Sequence, residues 1–376
     1  MNSRRTRLRS ALAVILTVLV LVPTAVLFGR VWQDNSDARA KIALEKKGVE
    51  YITALAPLIS GLAESQSTAL QGVSAAPESL TTAVARVAAL DASLGDDLKT
   101  KERWADLSGK IAKLPKTTGG SLAVLQAHIE ATDLALALYN AVRRNSELSR
   151  DESSDVSNLQ QAVAVDMPTV VVLVSRMADY AQILQVVTGT TKTTIATEFG
   201  QEVIAVQSAV TALTDSLQNA VDNTTSATLS GGLVTTLDSF RRSIESMTRG
   251  ANPGGAPNVA TMSTAQTALQ TALSALSGVA LKEMAQLLDD RSDTLDYRRT
   301  EAVVAGLLAV AFVIAALVLP ILGRRRPEAQ GAGGIGEATR DYTPSQPGTP
   351  YGGQYDLTPA YGDNDPTRRE RSGALR

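Results

Sequence analysis

Two uncharged apolar stretches, residues 10–29 and 302–322, bracket this chain and constrain its fold more than anything between them. At about 1.5 Å per helical residue, each is long enough to cross a hydrocarbon core of about 30 Å. The sequence therefore predicts a protein that crosses a membrane twice. Residues 30–301 then form one large body on one side, while residues 1–9 and 323–376 share the other. Arg4, Arg5, Arg7 and Arg9 precede the first stretch, and Arg324, Arg325 and Arg326 follow the second. Basic flanks resist translocation, which places both termini in the cytoplasm and the body outside the cell membrane. Arg30, Arg298 and Arg299 lie on the outer side, but segments much longer than about 60 residues translocate largely regardless of charge.

A basic start followed by an apolar run also describes a secretory signal peptide, and Ser3-Arg4-Arg5-Thr6-Arg7-Leu8 loosely echoes a twin-arginine signal. The run is longer than the usual 7–15 or so residues, and no small-x-small cleavage site precedes Arg30, so a retained anchor is expected. Pro23 removes one helical hydrogen bond and is expected to kink the span.

Composition narrows what the body does. Cysteine is absent, which excludes disulfides and Cys-ligated metals. The single histidine, His128, has no second histidine with which to build a metal site or proton relay, and is read as a satisfied or exposed helix residue. A net charge of −2 and 4% aromatics leave neither the basic footprint nor the stacking residues of nucleic-acid binding. No nucleophile–base pair, metal cluster or phosphate loop is visible, so neither catalysis nor a cofactor is expected.

The periodicity is helical almost throughout. Val49, Ile52, Ala56, Ile59 and Ala63 recur at steps of three and four, as do Leu269, Leu273, Leu276, Ala280, Met284 and Leu287. Pro77, Pro115 with Gly119 and Gly120, Gly189, Gly231 with Gly232, and the loop 252–257 divide the body into seven helical segments. These fall near 30–73, 78–113, 120–148, 153–187, 191–226, 232–249 and 258–323. The expected fold is all-α: an elongated extracytoplasmic bundle between two transmembrane helices, with a disordered C-terminal tail. The first and last helices run antiparallel and adjacent, so a rotation or piston shift in the bundle is carried along them to the cytoplasmic face.

Three short motifs add to this. Gly48 and Tyr51, followed by Pro57-Leu58, resemble the start of the periplasmic helical region in bacterial chemoreceptors and diguanylate-cyclase receptors. Ser146, Leu148, Asp151, Asp155 and Leu159, followed by Met167-Pro168, resemble that family's Ser-x-Leu, paired Asp, Leu and Pro segment. Leu287-Leu288-Asp289-Asp290-Arg291 is similar to its closing Leu-Leu-x-x-Arg before the second span. The resemblance covers almost the whole body and implies a sensory bundle. It stops at Arg326, after which Pro327 and Gly-rich sequence stand where the family has a HAMP linker and output domain.

The same residues have local readings. Ser149 and Glu152 have capping-box spacing, and Asp151, Ser153 or Asp155 serve equally as helix caps. Gly48 and Pro57 loosen or kink the first helix. Arg291 lies one helical step past Leu287 and is expected to pair across helices, with Glu45 or Glu50 as partner. Arg176 follows the apolar run 170–174, with Asp179 and Tyr180 beyond it. A guanidinium embedded in a bundle binds a small carboxylate through two parallel hydrogen bonds, which makes Arg176 and Tyr180 candidate ligand residues; the alternatives are an internal contact of Arg176 with Asp179 or Tyr180, or a solvated arginine.

The tail from Pro327 holds Tyr342, Tyr351, Tyr355 and Tyr361 among turn formers and is expected to be disordered. Thr343, Thr349 and Thr358 each precede a proline and are candidate phosphorylation sites. Two function classes follow: a membrane sensor that signals through a separate protein partner or a homodimer, or a non-sensing scaffold of the cell envelope. The expected contacts are membrane lipid, a small-molecule ligand and protein.

Overall fold

A computed structural model of the chain describes residues 2–150, 154–223, 227–252 and 255–322. Its contacts divide the chain between Leu319 and Pro320; the first unit holds the bundle, and of the second only the last turn of the final helix is described. The tail with Thr343, Thr349 and Thr358 lies outside the described residues, as do Asp151, Glu152 and Ser153.

Among the described residues there are helices and no strands. They are α1 (Asn2–Leu70), α2 (Glu78–Leu94), α3 (Lys101–Ile111), α4 (Ser121–Asn145), α5 (Ser154–Gln161), α6 (Met167–Leu184), α7 (Gly189–Asn223), α8 (Ala227–Ala251) and α9 (Val259–Leu322). A π-helical turn, Ala162–Asp166, joins α5 to α6. Pro168 follows at the start of α6, where a missing amide donor costs least.

α1 is the organising element and packs against α2, α4 and α6. Between residues 49 and 66 it is buried on nearly every side: Ile52, Leu55, Leu58 and Leu62 are all fully buried. The one-sided stripe expected here is therefore wider than its spacing suggested, as befits a helix at the centre of a bundle. Each such side chain contributes about 1.5–3 kcal/mol of burial. On α9 the expected stripe faces the core, with Leu269, Leu273, Leu276, Ala280 and Met284 buried.

Two divisions of the chain differ from expectation. Residues 78–113 are two helices, because the chain leaves α2 through a Schellman-type turn: Thr100 N donates to Gly95 O at 2.9 Å, and Lys99 takes the left-handed conformation at φ 51°. Gly231 and Gly232 lie inside α8 and do not end it. Gly232 is where α8 meets α9, since a Cβ there would sit 3.0 Å from Val279 Cγ1. Pro23 and Pro57 both lie within one continuous α1.

α1 and α9 run side by side in opposite directions. Lys46 pairs with Asp289 at 2.7 Å and Arg39 with Asp296 at 2.7 Å, and the Arg299 guanidinium lies 4.8 Å from the centre of the Trp32 ring. These contacts are solvent-exposed, where ion pairs contribute about 0.2–1 kcal/mol. Arg39→Ala is therefore expected to shift the thermal midpoint of the full chain by only about 2 °C or less, as read by circular dichroism.

Beyond this ladder the outer ends of both helices expose apolar side chains, including Ile15, Leu19, Val22 and Leu27 on α1 and Leu307, Val310 and Phe312 on α9. Among the described residues, one helical stretch, Val156–Leu184, is long and apolar enough to cross a membrane, but most of it is buried inside the bundle and it serves as core.

Candidate functional site

The chemistry of the bundle is concentrated in three polar clusters on α1 and its neighbours. The first lies at Gly48. This residue is buried against Ser146 and Leu148, so closely that a Cβ on Gly48 would overlap Ser146 Cβ and Oγ. The Gly-x-x-Tyr motif and the Ser-x-Leu motif, about a hundred residues apart, thus meet in space. One turn on, Tyr51 OH donates to Asp91 Oδ1 at 2.8 Å, and Thr100 Oγ1 donates to the same oxygen at 2.6 Å. All three residues are buried, and burial pushes the Tyr51 phenol far up, so it stays a donor. Asp91 thereby ties α1, α2 and the α2–α3 turn together.

The second cluster sits about 25 Å further along α1 at 1.5 Å per residue. Gln66 Nε2 donates to Asp179 Oδ2 at 2.6 Å, Ser175 Oγ lies 3.4 Å from the same oxygen, and Gln266 Nε2 from α9 reaches Ser175 Oγ at 3.4 Å. Beside it, His128 Nδ1 lies 2.8 Å from Val124 O and Nε2 lies 3.3 Å from Ser65 Oγ. The carbonyl requires Nδ1 to carry the proton, so Nε2 accepts from the serine. Burial lowers the His128 pKa and keeps the ring neutral. It is a satisfied core histidine, in agreement with one of the two readings above.

The third cluster contains Arg176. Its guanidinium turns to α4, donating to Asp133 Oδ1, to Thr132 Oγ1 at 2.9 Å and to Ile129 O at 3.4 Å. The expected internal contact with Asp179 or Tyr180 is not the one formed, because Asp179 faces inward to Gln66 while Arg176 faces outward to α4. Tyr180 is half-buried near Arg176, and burial with the neighbouring Glu198 and Glu202 raises its pKa. Glu202 is raised by its own burial, with Arg176 opposing. Two carboxylates, on Asp133 and Glu202, thus share the field of one guanidinium.

Elsewhere, Asp166 in the π turn accepts from Gln161 at 3.0 Å and from Ser216 of α7 at 2.6 Å. Asp155 falls in α5, with its side chain outside the described set. Arg291 is half-buried on α9, and the Lys46–Asp289 pair sets its turn alongside that of buried Glu45; Glu50 is exposed. Among the described residues no group of three His, Asp or Glu is placed to hold a metal.

Sequence reasoning missed Gln66, Ser175 and Gln266, yet a signal was present. Leu55, Leu58, Leu62 and Gln66 keep helical step on α1, as do Val172, Ser175 and Asp179 on α6 and Gln266, Leu269 and Leu273 on α9. A polar residue in register with an apolar stripe marks a buried polar contact.

Grooves on the surface include one of about 670 Å³ lined by Leu184, Phe199, Val203, Ile204 and Lys192, and one of about 600 Å³ between α8 and α9 lined by serine, threonine and alanine with Arg242. No protein-family model matches the chain, and neither a curated protein nor a solved structure does.

Proposed function

We propose that this chain is a two-pass, receptor-like membrane protein whose outer helical bundle senses a small solute and signals through a separate protein. The observation that carries this reading is the α1–α9 pair: two antiparallel helices leave the bundle together, and past the ladder both expose runs of large apolar side chains. Water disfavours such a surface, and a bilayer covers it. Trp32 and Arg299 stand at the border, where aromatic and cationic side chains anchor a helix to the lipid interface. The arginines before and after the two stretches put residues 1–9 and 323–376 in the cytoplasm.

The chemoreceptor resemblance supplies the sensing half, and the meeting of two of its motifs at Gly48 supports it. In this reading the signal passes to a partner or a second copy through the membrane helices or the Tyr/Pro-rich segment, with Thr343, Thr349 and Thr358 as sites of control. A second reading, a scaffold of the cell envelope, is favoured by one observation: Arg176, the best-placed cation for an anionic ligand, already binds Asp133.

Because the chain has no cysteine, single cysteines report topology without background. Thr193 is exposed on α7 and Ser345 lies in the tail segment. In intact cells, a membrane-impermeant thiol reagent is expected to label Thr193→Cys and to spare Ser345→Cys. Labelling at 345 and not at 193 would reverse the orientation.

A further inference from the structure

Asp179 is 1% exposed, and its hydrogen-bond partners are neutral. From α1 it faces Gln66; from α6, Ser175; from α9, Gln266 through Ser175. The titratable groups nearby are committed elsewhere: Arg176 binds Asp133 on α4, Glu202 on α7 sits in the Arg176 field with Glu198 beside it, and His128 on α4 bonds Ser65. Of the other buried aspartates, Asp91 also accepts two bonds on one oxygen, but both are short, at 2.8 and 2.6 Å, where the second bond to Asp179 is 3.4 Å; Asp166 accepts one bond on each oxygen with Arg143 in its field.

Gln66 shows the complementary deficit, since its Oε1 is buried with no hydrogen-bond partner. A carboxylate short of donors thus lies against an amide oxygen short of one. A single proton on Asp179 satisfies both: the carboxyl O–H donates to Gln66 Oε1 while Gln66 Nε2 keeps donating to the other carboxyl oxygen, closing a cyclic acid–amide pair.

We propose that Asp179 and Gln66 form a proton-binding site in the bundle core, joining α1 to α6, and that the proton is a ligand this bundle reads. The site lies wholly within the bundle and does not depend on how the chain meets a membrane. Burial is the cause that pushes the Asp179 carboxyl up to about 7, with the Gln66 and Ser175 hydrogen bonds opposing. A raised pKa makes the folded state the better proton binder. Its stabilisation is complete below the ordinary aspartate value of about 3.9 and is lost as pH rises through about 7. Acidification from about pH 8 to about pH 5 therefore tightens the fold through this site by roughly a hundredfold in the folding equilibrium constant. His128 acts with the opposite sign, because its lowered pKa costs stability as pH falls, so the wild-type profile alone does not isolate Asp179.

The test compares the full-length wild-type chain with Asp179→Asn, which places an N–H donor and a carbonyl acceptor where the protonated carboxyl has them. Asp179→Asn is expected to be more stable than wild type at about pH 8 and to lose that advantage by about pH 5. A difference between the two chains that does not change with pH, or a loss of stability in the variant at both values, would overturn the site. A second measurement needs no variant: carboxyl-carbon NMR of wild type labelled with carbon-13 aspartate. One aspartate titrating near pH 7 supports the site; no aspartate titrating above about pH 6 overturns it.

Discussion

Replacing Gly48 by valine is expected to lower the thermal midpoint of the full chain by roughly 5–10 °C, the equivalent of about 3 kcal/mol of overpacking in a body of this size. The reason is steric. Gly48 is where α1 seats on Ser146 and Leu148, and even one added carbon collides with the Ser146 side chain. Gly48→Ala gives the sharper test because two effects compete. Alanine is a better helix former than glycine by about 1 kcal/mol, so an open site gains stability from the exchange. Gly109 in α3 is such a site, with nothing near its missing Cβ. Alanine is expected to stabilise at 109 and destabilise at 48, with Ser146→Gly recovering part of the loss at 48. Thermal unfolding by circular dichroism reads all four chains, and a gain at 48 would show that the seat is looser than described.

Asp91→Ala is expected to cost about 2–5 kcal/mol, because it leaves two buried hydroxyls, on Tyr51 and Thr100, without their acceptor at about 1–3 kcal/mol each. Tyr51→Phe is expected to cost only about 1 kcal/mol, since Asp91 keeps the Thr100 bond and no donor is stranded. Asp91→Asn retains an acceptor oxygen and is expected to fall between the two. The order Ala, Asn, Phe from most to least damaging is the readout, and an Asp91→Ala chain as stable as Tyr51→Phe would show that water reaches the site.

Periodicity reveals helices whose partners are continuous apolar stripes, which is why α9 and most helix boundaries were legible from sequence. It fails where a tertiary contact decides. The break after α2 carries only a short local mark, Gly95-Asp96-Asp97, and the turn is then fixed by Thr100 bonding to Asp91 beneath Tyr51, a residue 40 positions before Asp91. Gly231 and Gly232 read as breakers because glycine weakens an isolated helix; in α8, close approach of Gly232 to Val279 answers that weakness. Arg176 was legible as embedded, but Asp133, 43 residues earlier and on another helix, was not legible as its partner. Gln66 and Asp179 were both in stripe register, and the register itself was the clue to their contact.

The position of Gly48 on α1 has a mechanical consequence. It stands between Trp32 and Gln66, with arms of about 24 Å and 27 Å along the helix axis at 1.5 Å per residue. Axial sliding of α1 would drag a residue without side chain out of the one place where Ser146 allows the backbones to close, bringing the Cβ of a neighbouring position into collision. Gly61 forms a second seat on the same helix, where a Cβ would lie 2.9 Å from Leu80 Cα. α1 is thus pinned at two points about 20 Å apart at 1.5 Å per residue, which resists rocking as well as sliding. The arm from Gly48 to Trp32 is the least firmly held, since α9 meets it there through exposed, exchangeable contacts.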